Sequence, residues 1–296
     1  MRSTNPVFTR SEQFQQAAPP QYGQQYGQQY GQQYGQQYGQ QYGQQYGQQY
    51  GQQYGQQYGQ PAAPAPYQTQ PGPDVMTIDD VITKTAITLG ALIVSAAITF
   101  MFLPPTLMLP ALLVSGIVGF VAVLFVSLRR VVNPAFVLAY SLIEGVFIGA
   151  FSLLFENLYS GIVPAAVMGT FVAAGATLAA YKFLRIKVTS RFRKIVTIST
   201  FALLGVVLVN FVFALFGGDL GLRGIGPGAG PLAWLVSAVA VVLAVANLIM
   251  DFDYIEQGIR NRLPASESWR GAFGLTVTMV WLYTEILRIL SYFRSN

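Results

Sequence analysis

Long apolar runs constrain this chain more than any other feature of its sequence. From residue 85 onward they approach the ~20 residues that an α-helix needs to cross a ~30 Å hydrocarbon core. They recur at about 85–103, 106–127, 134–155, 161–181, 195–216, 232–252 and 271–290. Only 10% of the residues are charged, whereas about a quarter are charged in a typical soluble domain. The sequence therefore predicts an all-α, polytopic membrane protein with seven transmembrane helices in residues 74–296.

Residues 1–73 differ in composition from the rest of the chain. A tyrosine recurs every four residues from Tyr22 to Tyr58 in a Tyr-Gly-Gln-Gln repeat, and a Pro-rich stretch follows it. The region has almost no aliphatic residues, so it buries too little apolar surface to offset the entropy of ordering. We expect a disordered, low-complexity tail that either self-associates or docks partners through its tyrosines, or serves only as a tether.

The positive charges cluster in alternate loops. These loops contain Arg129-Arg130, then the cluster from Lys182 to Lys194, then Arg260, Arg262 and Arg270. The positive-inside rule predicts that these three loops, and with them the repeat tail, are cytoplasmic. Seven full spans then place the C-terminus outside, whereas a last segment that bends back returns it to the cytoplasm. The sequence is compatible with both arrangements.

Two residue types with distinctive chemistry are missing, since the chain has neither Cys nor His. Thiol nucleophiles, His-based acid–base catalysis and zinc sites built on these residues are therefore excluded. Proton or metal chemistry falls to Asp, Glu, Tyr and carbonyl oxygens, which suit protons and hard ions such as calcium. We expect no cofactor and no enzymatic activity. No nucleic-acid partner is expected either, because the positive charges follow the predicted topology.

Glu144 lies about eleven residues into the third span, close to the bilayer midplane. A charge at this depth costs roughly 2.5–3.5 kcal/mol. No basic residue of another span lies at the same depth, so Glu144 is protonated, hydrogen-bonded to a polar neighbour such as Ser141 or Asn210, or exposed to a wet cavity. It is a candidate for ion or proton gating, or else it joins helices through a hydrogen bond. Gly145 beside it predicts close helix packing.

Further acidic residues lie on the sixth and seventh spans. Asp251 and Asp253 are two residues apart at the end of the sixth span and point about 200° from each other on a regular helix. One is expected to face the bundle and the other the cytoplasmic boundary, where Glu256 also lies. Glu285 is the acid of the last span, and a contact with Arg288 three residues later is its structural explanation.

Several short motifs follow one another along the spans in a characteristic order. Leu107-Met108-Leu109-Pro110 opens the second span and Leu128-Arg129-Arg130 closes it; Ala135-Phe136-Val137 and Glu144-Gly145 lie in the third, Asp251 with Ile255 in the sixth, and Leu287-Arg288-Ile289-Leu290 in the last. In this order they resemble the Bax inhibitor-1 (transmembrane Bax inhibitor motif) family, and within it the bacterial branch with a long low-complexity N-terminus. The resemblance covers about residues 80–293 and leaves out the repeat tail.

The resemblance implies a fold, a location and an activity. It implies a central helix surrounded by the others, in the plasma (inner) membrane of a bacterium, and a pH-sensitive calcium leak. In that scheme two carboxylates on the last two helices share a proton, because adjacent charges repel, and a nearby Arg latches the closed state. Deprotonation opens the pair or lets it coordinate calcium. We thus expect a pH-gated calcium leak channel or a proton-coupled cation transporter. The alternative is a non-conducting regulator that binds other membrane proteins, such as a protease or a stress-response component.

The resemblance assigns roles to individual residues with two alternatives left open. Asp251 is the first acid of the pair, with Asp253 as the alternative in a shifted register. Aligning the chain on Leu282-Tyr283 makes Glu285 the second acid and a possible calcium ligand with Asp251. Aligning it without gaps on the last motif puts Thr278 there and breaks the pair.

Depth and register bear on these assignments. Glu285 lies about 10 Å deeper than Asp251 at 1.5 Å per residue, so a direct pair needs a tilt, a kink or a bridging water. Arg129 and Arg130 match the position of the latch, and anchoring of the topology is the other role that they could have.

Overall fold

The computed structural model describes residues 74–218 and 220–294, and in this part of the chain it consists of helices joined by short loops. The predicted repeat tail lies outside the described residues. Seven α-helices are described: α1 Ile78–Phe102, α2 Met108–Ser127, α3 Pro134–Leu158, α4 Ile162–Phe183, α5 Ser190–Leu215, α6 Pro231–Arg260 and α7 Glu267–Tyr292. A 3₁₀ helix, Pro105–Leu107, precedes α2. All seven are long and apolar enough to cross a membrane, which confirms the predicted fold class.

Two helices extend well beyond the spans predicted from the apolar runs. α1 begins at Ile78 because Thr77 caps it: the Thr77 hydroxyl accepts a hydrogen bond from the Asp80 amide at 3.2 Å. A capping hydroxyl and acidic residues in the first turn both stabilise a helix N-terminus. The second is α6, which continues at its C-terminal end to Arg260, so Asp253 and Glu256 are helical residues.

The loops group at two ends of the bundle. The basic end contains loops 128–133, 184–189 and 261–266, where Arg270 at the start of α7 donates to the carbonyl of Arg130 at 2.6 Å. The opposite end contains loops 103–107, 159–161 and 216–230, where the Gly226 amide donates to the Ser291 hydroxyl at 3.1 Å. α7 therefore runs unbroken from one end to the other, as seven full crossings require.

The segment before α1 is fixed at the basic end. The Met76 amide donates to the carbonyl of Leu263 at 2.7 Å, and the Ala265 amide donates to the carbonyl of Asp74 at 2.8 Å. The Met76 side chain is buried against Gly258 of α6. The chain thus enters the bundle beside the loop that joins the last two helices.

α7 is the central helix, in agreement with the expectation from the family resemblance. It packs against α1, α3, α4 and α6, and it has more buried side chains than any other described helix. Hydroxyl groups join it to its neighbours: Thr276 lies 3.0 Å from Thr88 of α1, and Tyr283 lies 2.6 Å from Ser152 of α3. Hydrogen bonds of this kind replace hydrophobic attraction between helices in lipid.

α1 and α3 approach each other closely at two glycines of α3. A Cβ atom at Gly145 would lie 2.5 Å from the carbonyl oxygen of Leu92, and one at Gly149 would lie 2.5 Å from that of Ala96. Small residues four apart let two helix backbones come into contact. This confirms the packing role predicted for Gly145, and it makes α1 and α3 a tightly joined pair.

Candidate ion site

The Asp251 carboxylate on α6 faces α7. Its Oδ2 atom accepts a hydrogen bond of 2.6 Å from the Thr278 hydroxyl. One turn earlier on α7, Gly274 leaves space for the second oxygen, because a Cβ there would lie 3.1 Å from Oδ1. Within the described residues no basic side chain forms an ion pair with Asp251. The carboxylate therefore has a hydroxyl partner and no neutralising charge.

A cavity of about 340 Å³ adjoins this carboxylate at the basic end of the bundle. It lies between α2, α6 and α7, and Val123 and Val126 of α2 form part of its apolar wall. Its polar lining consists of Ser127, Asp251, Tyr254, Arg270 and Thr278. An acidic and a basic residue, Asp251 and Arg270, thus line the same space.

Arg270 occupies the end of the cavity nearest the loops and links three parts of the chain. Its Nε atom lies 2.7 Å from Glu267, and one terminal nitrogen donates to the carbonyls of Arg129 at 3.3 Å and Arg130 at 2.6 Å. Glu267 also accepts a hydrogen bond of 2.7 Å from Tyr254 of α6. This network ties the start of α7 to α6 and to the α2–α3 loop.

From the sequence, Arg270 was expected only to contribute to the positive charge that determines the membrane topology. A signal for its position was present, because Arg270, Gly274 and Thr278 follow one another at four-residue spacing and so share one face of α7. That face is the one turned towards Asp251.

The side chains of Arg129 and Arg130, predicted as the latch, are not part of this network. The Arg129 guanidinium lies over the ring of Phe125 at 4.2 Å and over that of Phe136 at 4.7 Å. Arg130 contributes its carbonyl oxygen. The two residues therefore reach the site through backbone atoms, and Arg270 supplies the guanidinium.

Asp253 and Glu256 point away from the cavity and join α6 to other helices. Asp253 lies 2.8 Å from Arg193 of α5 and accepts a second hydrogen bond from Gln257. Glu256 accepts a hydrogen bond of 2.6 Å from Tyr181 of α4. This agrees with the opposite directions predicted for Asp251 and Asp253, and it places Asp251 at the cavity.

Glu285 lies in a different environment, near the opposite end of α7. It is almost fully buried, its Oε1 atom lies 2.7 Å from Arg223 of loop 216–230, and its Oε2 atom lies 3.8 Å from Arg288. The Arg288 guanidinium also donates to the carbonyl of Arg223 at 2.6 Å. The expected contact with Arg288 is present, but Arg223 is the closer partner of Glu285. In the sequence, Arg223 stands out as an isolated basic residue in loops with little positive charge.

Asp251 and Glu285 do not meet in this structure. The α7 residue that faces Asp251 is Thr278, and seven helical residues place Glu285 about 10 Å farther along the axis. This is the register predicted by the ungapped alignment on the last motif, which puts Thr278 at the position of the second acid. Among the described residues, moreover, no cluster of three or more acidic side chains could hold a metal ion.

Glu144 lies against α2 and not at the cavity. Its Oε2 atom is so close to Gly119 that a Cβ there would lie 2.6 Å away. The Ser141 hydroxyl donates to the Val137 carbonyl within α3, so it does not donate to Glu144. Glu144 thus forms a separate polar position in the α2–α3 contact.

A family model described as "Bax inhibitor 1 like" matches residues 5–295 and thus includes the repeat tail that the motif resemblance left out. No curated protein matched the chain. The family match covers nearly the whole sequence, and the seven apolar helices agree with a multi-pass membrane protein. The chain therefore belongs to the Bax inhibitor 1 like family.

Proposed function

We propose that this protein lets cations, and calcium in particular, cross the membrane under the control of pH, with Asp251 as the residue that carries the response. The observation that supports this most directly is the position of its carboxylate, which faces a cavity of about 340 Å³ and bonds to the Thr278 hydroxyl without a basic partner among the described residues. An ionisable side chain inside a membrane is energetically costly, and such residues commonly serve a function.

The proposed response follows from the charge of Asp251. With a proton bound, the Asp251 carboxyl group is neutral and does not attract a cation into the apolar cavity. Without it, the carboxylate and the Thr278 hydroxyl offer the oxygen ligands that calcium prefers. Flux is therefore expected to rise with pH, as the fraction of ionised Asp251 increases.

Arg270 opposes this attraction in the arrangement described here. Its guanidinium lines the same cavity, and its bonds to Glu267 and to the carbonyls of Arg129 and Arg130 hold the basic end together. Its positive charge repels cations, although the paired Glu267 offsets part of that repulsion. We therefore assign this arrangement to a closed state and give the latch role to Arg270.

A second barrier lies at the opposite end. Arg223 reaches from loop 216–230 to the buried Glu285, and Arg288 adjoins both. Two guanidinium groups and one carboxylate give this cluster an excess positive charge. A cation that has passed Asp251 therefore needs this cluster to rearrange before it can leave. By the positive-inside rule we propose that the basic end is cytoplasmic.

Calcium flux into proteoliposomes, measured between pH 6 and pH 8 on an entrapped dye, tests the proposal. The wild type is expected to show higher flux at higher pH, and Asp251→Asn to show low flux without pH dependence. Asp253→Asn and Glu256→Gln are matched controls on the same helix and should keep the pH dependence. Wild-type flux equal to that of empty liposomes would instead favour a non-conducting regulator.

A further inference from the structure

A second cavity, of about 460 Å³, lies apart from the Asp251 site, between α1, α3, α4 and α7. Its volume is in the range of roughly 300–1,000 Å³ found for ligand sites. Its wall is made of aliphatic and aromatic side chains with three hydroxyl groups and no charged residue. Ile93 and Met101 of α1 and Phe171 of α4, which border it, are exposed on the outer surface of the bundle. The cavity is thus continuous with the surface that faces lipid.

The hydroxyl groups of the wall do not require a polar ligand. Ser152 and Tyr283 are hydrogen-bonded to each other at 2.6 Å, and Thr170 donates to the carbonyl of Ala166 in its own helix at 2.7 Å. A water molecule in this space would find few partners, and apolar cavities of this kind do not hold water well. The occupant that fits the lining is therefore a hydrocarbon.

The position of the cavity along the helices identifies the hydrocarbon further. On α1 the lining runs from Leu89 to Met101, about 18 Å at 1.5 Å per residue, close to half of the ~30 Å hydrocarbon core and hence to one acyl chain. Apart from Leu89, which lies just before the middle of α1, these residues are in its second half, whereas the lining residues of α4, Val163 to Phe171, are in its first half. Both belong to the half of the bundle farthest from the basic end.

We propose that this cavity binds one acyl chain of a bilayer lipid from the leaflet at the opposite end, inserted between α1 and α4. The chain contacts the central helix at Met279, Val280 and Tyr283, so it fills a space that the protein's own side chains leave open. Neither the binding nor its test depends on whether Asp251 conducts ions.

Photo-crosslinking with a phospholipid that has a diazirine in its acyl chain tests this in proteoliposomes, with labelled residues located by mass spectrometry. Ile148 and Val280 line the cavity and are buried, so lipid on the outer surface cannot reach them. We expect both to be labelled in the wild type. Labelling confined to exposed residues such as Val94 and Val172 would overturn the proposal.

A matched pair of substitutions on α4 makes the test specific. Val167 lines the cavity, whereas Met168 is exposed beside it and does not. Val167→Trp fills the space and is expected to reduce labelling of Ile148 and Val280 at least fivefold, while Met168→Trp leaves it unchanged. Ala97→Phe, a second filling change placed on α1, must give the same loss. Labelling that persists in both filling variants contradicts the proposal.

Discussion

The Thr278 hydroxyl of α7 donates a hydrogen bond of 2.6 Å to the carboxylate of Asp251 on α6. The family resemblance implies a second acid at this place, and the chain has a hydroxyl there instead. A threonine can donate to an ionised carboxylate but cannot share a proton with it as a second carboxyl group does. The pH response proposed for this protein therefore rests on one acid.

Restoring a second acid at this position should change the pH response. Thr278→Asp places two carboxylates opposite each other, and the pair is expected to titrate in two coupled steps because the first charge opposes the second. Calcium flux followed against pH should show an added step that the wild type lacks. Thr278→Asn, which has the same size without the acid, is the control, and an identical profile for the two variants would contradict the assignment of Thr278 to the site.

Removing the positive charge at the cavity entrance should increase flux. Arg270→Gln takes away the guanidinium that lines the cavity and its hydrogen bonds to the carbonyls of Arg129 and Arg130. We expect calcium flux at pH 6 to rise several-fold, since the closed arrangement loses both its tie and its electrostatic barrier. Arg129→Gln and Arg130→Gln should have little effect. A rise with these two variants, but not with Arg270→Gln, would return the latch role to the side chains of the α2–α3 loop.

The ion cluster at the opposite end should contribute strongly to stability. Glu285→Gln leaves Arg223 and Arg288 close together without their common carboxylate. Removing one partner of a buried pair costs about 3–5 kcal/mol, so the melting temperature in detergent should fall by several degrees. Arg260→Gln breaks an exposed pair with Glu256 and should cost less than ~1 kcal/mol. Equal melting temperatures for the two variants would show that the buried cluster is not formed.

The close contact between α1 and α3 provides a test of the packing. Gly145→Ala places a methyl group 2.5 Å from the Leu92 carbonyl, so the two helices must separate. We expect a loss of about 1–3 kcal/mol, as for other overpacked positions, seen as a lower melting temperature. Gly175→Ala on α4 meets nothing within 4 Å and should be neutral or slightly stabilising. The reverse order of the two variants would exclude this packing.

The sequence predicted the number and type of elements well because length and hydropathy determine which segments cross a bilayer. It predicted the opposite directions of Asp251 and Asp253 from helical periodicity alone. The start of α1 was missed because the polar first turn after Thr77 belongs to the helix but not to the apolar run. A hydropathy pattern locates the part of a helix that lipid surrounds, and capping determines where the helix begins.

The partners of the acids were harder to predict, because they depend on how helices are rotated and displaced against one another. Thr278 and Glu285 were both compatible with the motifs, and the choice required the register between α6 and α7. The pair between Glu285 and Arg223 joins α7 to a loop 62 residues earlier in the chain. Its one sequence signal was that Arg223 is an isolated basic residue in loops that otherwise have almost no positive charge.

α7 is one continuous helix, so Thr278 beside Asp251 and Glu285 beside Arg223 belong to the same rigid element. A displacement that separates Thr278 from Asp251 also draws Glu285 away from the loop residue that holds it. Under the proposed function, a change of proton concentration on one side of the membrane would thereby be transmitted through α7 to the other side. A sensor built in this way would need no relay of intermediate contacts between its two ends.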